Sequence, residues 1–227
     1  MKFRKVIGVV LVSVLACSQA VAQYTFDWET DLDGWTTSGF GNGSEFVALS
    51  PTGATGGSAQ ALSFGHSGGD FSWDASLVFG AGEHPIYGLL SDVANNPTDQ
   101  KITFDVTYLA NDLPTFSTFA NLSFSLQSDN GFKQVDGVAE INTAADQTLS
   151  VSIPLDGPTA GGDISGFASN SSFYRLTIAL NTDANLLGGP STVYIDNLTI
   201  TPEPTTIVLV GMASSGLLLV RRRKSSV

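Results

Sequence analysis

Between residues 23 and 201, apolar and polar side chains alternate along the chain with a period of two, the pattern of strands that bury one face. In Lys101–Tyr108, the residues Ile102, Phe104, Val106 and Tyr108 fall on one side, with Thr103, Asp105 and Thr107 on the other. Leu122, Phe124 and Leu126 alternate with Ser123 and Ser125 across Asn121–Gln127. Leu149, Val151 and Ile153 repeat the pattern up to Pro154, as do Leu176, Ile178 and Leu180 within 175–180. A last strand is predicted over Thr192–Ile200, and the shorter apolar runs Glu45–Leu49, Ala59–Phe64 and Ser76–Phe79 are further candidates. No stretch here carries a long apolar period of about 3.6 residues, the mark of an amphipathic helix. Turn-forming pairs separate the runs: Asn42-Gly43, Gly56-Gly57, Gly68-Gly69, Asn130-Gly131, Gly161-Gly162 and Gly188-Gly189-Pro190. The expectation is an all-β domain of about eight to ten strands, a two-sheet β-sandwich of the jelly-roll kind.

The two ends of the chain follow other rules. Basic residues Lys2, Arg4 and Lys5 precede an apolar run from Val6 to Ala16, and Ala20-Val21-Ala22 offers a small-x-small cleavage pattern. That run is too short to span a bilayer core of about 30 Å as a helix, so residues 1–22 read as a secretory signal peptide for Sec-type export. Val14-Leu15-Ala16-Cys17 resembles the lipobox of bacterial lipoproteins, which leaves open a lipid on Cys17. At the other end, Pro202-Glu203-Pro204 precedes an apolar stretch Thr205–Val220 and the basic run Arg221-Arg222-Arg223-Lys224. Sixteen residues of helix reach about 24 Å, short for a span but workable with bilayer thinning. The cluster after it favours a cytoplasmic C-terminus and so an external domain.

This order of parts resembles the PEP-CTERM sorting signal, over residues 202–226, with Pro202, Glu203, Pro204, Arg221, Arg222 and Arg223 as its motif residues. The resemblance implies recognition by an exosortase, a membrane transpeptidase-like enzyme that removes the tail after export. It also implies a Gram-negative producer of extracellular polysaccharide, an inner-membrane intermediate, and a final place at the cell surface or in the extracellular matrix. The expected organisation is a signal peptide at 1–22, a β-sandwich domain at 23–201 and a sorting signal at 202–227.

Charge sharpens this picture once it is divided by region. The whole chain has a formal charge of −11, but between residues 23 and 201 there are twenty acidic residues against only Lys101, Lys133 and Arg175, a formal charge of −17. Such a domain is repelled by nucleic acid and by anionic membranes, and is suited to saline surroundings or divalent cations. The single cysteine lies in the export signal, so the domain has neither a disulfide nor a thiol nucleophile.

The ends of the domain carry a second resemblance. Phe26-Asp27-Trp28-Glu29 with Asp33-Gly34-Trp35 near the start, and Val193-Tyr194-Ile195-Asp196-Asn197-Leu198 near the end, are similar to galactose-binding-like jelly rolls, which include many carbohydrate-binding modules. The resemblance implies neighbouring first and last strands and a structural calcium held by Asp27 and Asp196, with loop carbonyls completing the six to eight oxygens that calcium takes. Glu29 or Asp31 could supply the first ligand instead.

Signs of catalysis are thin. His66 and His84 have no metal-ligand spacing, no Gly-x-Ser-x-Gly elbow flags a nucleophile, and Glu29, Glu45 and Glu140 stand in no glycosidase signature. The aromatics Trp73, after Gly68-Gly69-Asp70, and Tyr87, after His84-Pro85, read as candidate sugar-stacking residues in loops. Trp28 and Trp35 read as core. The leading expectation is a non-catalytic surface or matrix protein associated with extracellular polysaccharide. Its alternatives are a carbohydrate-binding module with a specific glycan, and a polysaccharide hydrolase or lyase.

Overall fold

The computed structural model describes residues 23–37, 45–66, 72–95, 100–112, 120–129, 131–140, 144–159, 162–164, 171–182 and 191–202. The predicted signal peptide, Cys17, the turns at Asn42-Gly43 and Gly68-Gly69, and the sorting tail from Glu203 through Arg221, Arg222 and Arg223 lie outside these residues. Among the described residues no helix is long and apolar enough to cross a membrane.

The strands are β1 (Tyr24–Phe26), β2 (Thr36–Thr37), β3 (Glu45–Ser50), β4 (Ala61–His66), β5 (Ser72–Gly80), β6 (Gln100–Tyr108) and β7 (Ala120–Ser128). They continue with β8 (Gly131–Glu140), β9 (Gln147–Pro154), β10 (Pro158–Thr159), β11 (Gly162–Asp163), β12 (Phe173–Thr182) and β13 (Ser191–Pro202). One helix, α1 (Ile86–Asn95), follows β5. The first sheet has the order β3-β4-β13-β6-β9, with β1 beside the second half of β13; the other has the order β10-β11-β8-β7-β12-β5-β2.

All pairings are antiparallel, and each predicted alternation becomes a strand. Their apolar faces meet between the sheets. Leu62, Phe64, Ile102, Phe104, Val106, Val193 and Ile195 from the first sheet, and Leu122, Phe124, Leu126, Leu176, Ile178 and Leu180 from the second, are buried in one core. Phe104 and Phe124 stack across the layers with centroids 6.4 Å apart. Each such side chain contributes roughly 1.5–3 kcal/mol by leaving water.

Gly65 shows how tightly the first sheet is closed: a Cβ there would lie 1.9 Å from the carbonyl oxygen of Ser191 on β13. Gly53, with φ +83°, lets the 51–60 loop lie against the Tyr194 side chain on the sheet's outer face.

Two elements depart from the alternation. β8 carries apolar residues on both faces and also bulges: Leu122 pairs with Ala139 and the next pair is Phe124 with Val135, so Asp136, Gly137 and Val138 stand against Ser123 alone, two residues in excess, with Gly137 at φ +64°. Helix α1 was invisible as a period because it is only ten residues long; it buries Ile86 and Leu90, one turn apart, in the core. Its start is fixed by His84, whose Nδ1 accepts the Ile86 N–H at 3.2 Å while its carbonyl accepts the Tyr87 N–H at 3.1 Å.

Candidate functional site

The pairing of first and last strands is as the sequence resemblance implied. Phe26 lies opposite Leu198, and the Phe26, Trp28 and Trp35 rings pack on one another at 5.6–5.9 Å with all three buried. Asp27 and Asp196 nevertheless take different partners. Asp27 is exposed and its Oδ1 accepts the Glu29 N–H at 3.3 Å, an Asx-type turn that shapes the chain leaving β1. Glu29 ties that turn to the 51–60 loop, accepting the Ala59 N–H at 2.8 Å.

Asp196 is fully buried on the outer side of the first sheet, beneath that loop. Its carboxylate accepts the Thr55 N–H at 2.6 Å and the Asn197 N–H at 2.8 Å. Its cross-strand neighbour is Asp105, which accepts from Thr55 Oγ1 at 2.8 Å, Ser150 Oγ at 2.6 Å and Asn197 Nδ2 at 3.3 Å. Burial pushes the Asp105 carboxyl up, but these three hydrogen bonds outweigh it and leave the group below its ordinary value. The pair ends the regular ladder just before a β-bulge between Asp196 and Thr199, where Asn197 takes φ +53°. Among the described residues no three His, Cys, Asp or Glu side chains gather where they could hold a metal.

The two aromatics chosen from the sequence are not in loops. Trp73 belongs to β5, paired with Leu180 of β12. Tyr87 belongs to α1; its ring packs on Tyr174 at 5.1 Å, and its hydroxyl donates to the Ser171 carbonyl. Its ring and polar tip are thus both engaged within the fold. The His84-Pro85 signal lies directly before α1, which starts at Ile86. Pro202 closes β13 opposite Gln100.

A different surface gathers the features of a binding site. On the second sheet, the residues between the buried leucines and phenylalanines point away from the core: Asn121, Ser123, Ser125 and Gln127 on β7, and Phe173, Arg175, Thr177 and Ala179 on β12. Among the described residues, two large hydrophobics stand exposed, Phe132 at 57% and Val78 at 46%. Both fall in one row. Phe132 of β8 is opposite Gln127 of β7, Gln127 opposite Arg175 of β12, and Arg175 opposite Val78 of β5. Cross-strand partners share a face, and strands lie about 4.8 Å apart, so the row runs about 14 Å across four strands.

Beside it, Gln134 pairs with Ser125 and donates to Asp136. Two polar atoms of this face are buried without a hydrogen-bond partner, Arg175 Nε and Asn121 Oδ1. Nothing in the sequence flagged Phe132 beyond the Asn130-Gly131 turn before it; which strands stand side by side is a property of the fold alone.

No family model matches the chain, and no curated protein matches it. Solved structures do. The carbohydrate-binding module CBM27-1 of Caldicellulosiruptor saccharolyticus, in complex with mannohexaose, has a TM-score of 0.50 at 14% identity, over 82% of this chain and 100% of that one. The CBM22-1 xylan-binding domain from Paenibacillus barcinonensis scores 0.46 at 16% identity, over 82% and 98%. The family 11 module from Clostridium thermocellum, in complex with a mixed-linked tetrasaccharide, scores 0.46 at 14% identity, over 81% and 98%. What this chain has in common with the first of these is the two-sheet β-sandwich fold.

Proposed function

We propose that the domain is a non-catalytic carbohydrate-binding module that holds a polysaccharide against the outer face of its second sheet. The observation that carries this is the cross-strand row Phe132–Gln127–Arg175–Val78. An exposed ring offers a flat apolar surface for a sugar face, while the amide and the guanidinium offer donors to hydroxyls. A row about 14 Å long suits several sugar units lying side by side rather than one. The mannohexaose-bound module with the same fold supports the reading.

The test is affinity electrophoresis in gels containing soluble xylan, mannan, β-glucan, galactan or pectin. Retardation by at least one of them, weakened about tenfold or more in Phe132→Ala, is the expected result. Free migration through every gel would overturn the reading. Product release from the same polysaccharides would instead favour a hydrolase or lyase.

The export reading belongs with this proposal. Residues 1–22 direct secretion, and Pro202, Glu203, Pro204 and the Arg221–Arg223 cluster form a sorting signal for an exosortase, which leaves the domain at the surface or in the extracellular matrix. A structural calcium on Asp27 and Asp196 is a separate proposal. The hydrogen bonds already on the Asp196 carboxylate compete with it. If the ion binds there, melting in calcium exceeds melting in chelator by several degrees, by mass action on the native state, and Asp196→Asn removes the difference. Equal melts rule the site out.

A further inference from the structure

The basic residue of the proposed binding face is out of balance with its surroundings. Arg175 sits near the centre of the second sheet, flanked by Gln127 and Val78 in its row, with Phe173 and Thr177 two positions away on its own strand. Its Nε is buried and donates to nothing, and among the described residues no carboxylate pairs with it. Lys133 lies opposite Leu126, on the register of the inner face, and Lys101 lies in the other sheet. The acids assigned to this face by register stand in other rows: Glu140 opposite Asn121, Asp74 opposite Ala179, and Asp136 in the β8 bulge beside Gln134.

A domain with twenty acidic residues and three basic ones could readily have placed a counter-ion against its one arginine. A half-buried guanidinium with neither a salt bridge nor an acceptor for Nε is an unfavourable arrangement unless something outside the chain completes it. The missing group must be anionic and oxygen-rich to match the planar donor fork. Val78 and Phe173 beside Arg175, and Phe132 beyond Gln127, give the carrier of that group apolar surface to lie on.

From this we infer that the polysaccharide taken by this face is acidic, with an anionic substituent on one sugar, a uronate carboxylate or an ester sulfate, docked on the guanidinium of Arg175. The inference rests on the carbohydrate-binding reading and adds the charge class of the ligand. The anion fits the row: neighbouring sugars pack on Phe132 and Val78 while Gln127 and Arg175 bind the polar edge between them.

The experiment compares polymers that differ only in the anion. Polygalacturonate is set against its carboxyl-reduced form, and dextran sulfate against dextran, each titrated into the secreted domain. The expected result is at least tenfold tighter binding to the charged member of one pair, and which pair it is tells carboxylate from sulfate. In Arg175→Gln the ratio falls to about one; Arg175→Lys, which keeps the charge and loses the fork, restores only part of it. Phe132→Ala weakens both members of the pair.

Equal binding of the charged and neutral members overturns the acidic class and leaves the carbohydrate-binding reading standing. Binding to none of the four, nor to any of the gels above, overturns that reading itself. A preference that persists in Arg175→Gln overturns the role of Arg175. Should that variant not fold, as judged by near-UV circular dichroism, the wild-type ratio alone decides the class of ligand.

Discussion

Single residues at the edges of the sandwich do more than fill space. The Tyr24 hydroxyl donates to Asp33 Oδ2 at 2.8 Å, and His84 Nε2 lies 3.2 Å from Asp33 Oδ1, so the turn after β1 is clamped to the start of α1. Tyr194 makes a matching contact further along the same sheet, on β13, donating to Asp112 at 2.6 Å. Burial, then the hydrogen bond to a carboxylate and that carboxylate's charge, push both phenols far above the ordinary tyrosine value. A raised folded value means that this stability is fully present below the unfolded pKa of about 10 and is lost as pH climbs through the folded one. Tyr24 and Tyr194 are therefore expected to ionise only with alkaline unfolding, their phenolate absorbance rising together with it. Early, fully reversible titration of all five tyrosines would refute the clamps. Asp105 works in the opposite sense: its depressed value contributes stability above about pH 4 that is lost on acidification. Gly65→Ala places a methyl group against the Ser191 carbonyl, and we expect a loss of about 1–3 kcal/mol by urea denaturation, typical of overpacking.

At the scale of elements, β7 separates the two uses of a strand. Its inward residues hold the sheets together and its outward ones lie on the proposed binding face. Phe124 is buried against Phe104, so Phe124→Ala should lower stability by about 3–5 kcal/mol. Phe132, on the neighbouring strand, is 57% exposed, so Phe132→Ala should leave the melting temperature within about 2 °C, the shift that about 0.5 kcal/mol produces in a domain of this size. Loss of stability in Phe132→Ala comparable to that in Phe124→Ala would mean the ring belongs to the core and not to a binding face. The strands with strict alternation were all legible, because every second residue of a one-side-buried strand must be apolar. β8 was not, because apolar residues fall on both of its faces: Val135 and Ala139 share the inner register with Lys133, while Phe132 stands exposed among the outer positions. Helix α1 was not, because its ten residues show a helical period only through Ile86 and Leu90, and its cap is a histidine side chain.

For the whole molecule, charge and processing decide behaviour. The domain's net charge of −17 repels an acidic polymer at long range, while the Arg175 contact is short-ranged and partly buried. Binding to such a polymer is therefore expected to strengthen or hold steady as salt rises from about 10 to about 150 mM, since the screening length shortens from about 30 Å to about 8 Å and relieves the repulsion more than it weakens the contact. A steep loss of affinity over that range would point to ion exchange elsewhere on the surface. The intact mass of protein recovered from producing cells reports on the ends: a chain from Gln23 to near Pro204 fits removal of both signals, and one that retains Val227 would sink the sorting proposal.

The sequence by itself determined the all-β class, most strand positions, the burial of Trp28 and Trp35, and the terminal segments set apart by basic and apolar runs. These follow from periodicity and local chemistry, which act between residues near each other in the chain. Only the tertiary structure decided which outward positions share a surface. Phe132, Gln127, Arg175 and Val78 come from four strands whose adjacency is set by sheet topology. For the same reason Trp73 and Tyr87, chosen for the turn signals before them, proved to lie within a strand and a helix. Asp27 directly follows β1, the strand beside Asp196's own β13, but the bulge after Asp196 and the turn after Phe26 give each carboxylate its own hydrogen-bond partners. Hydrogen bonding and packing across the sheets act between residues far apart in sequence, and no local pattern records them.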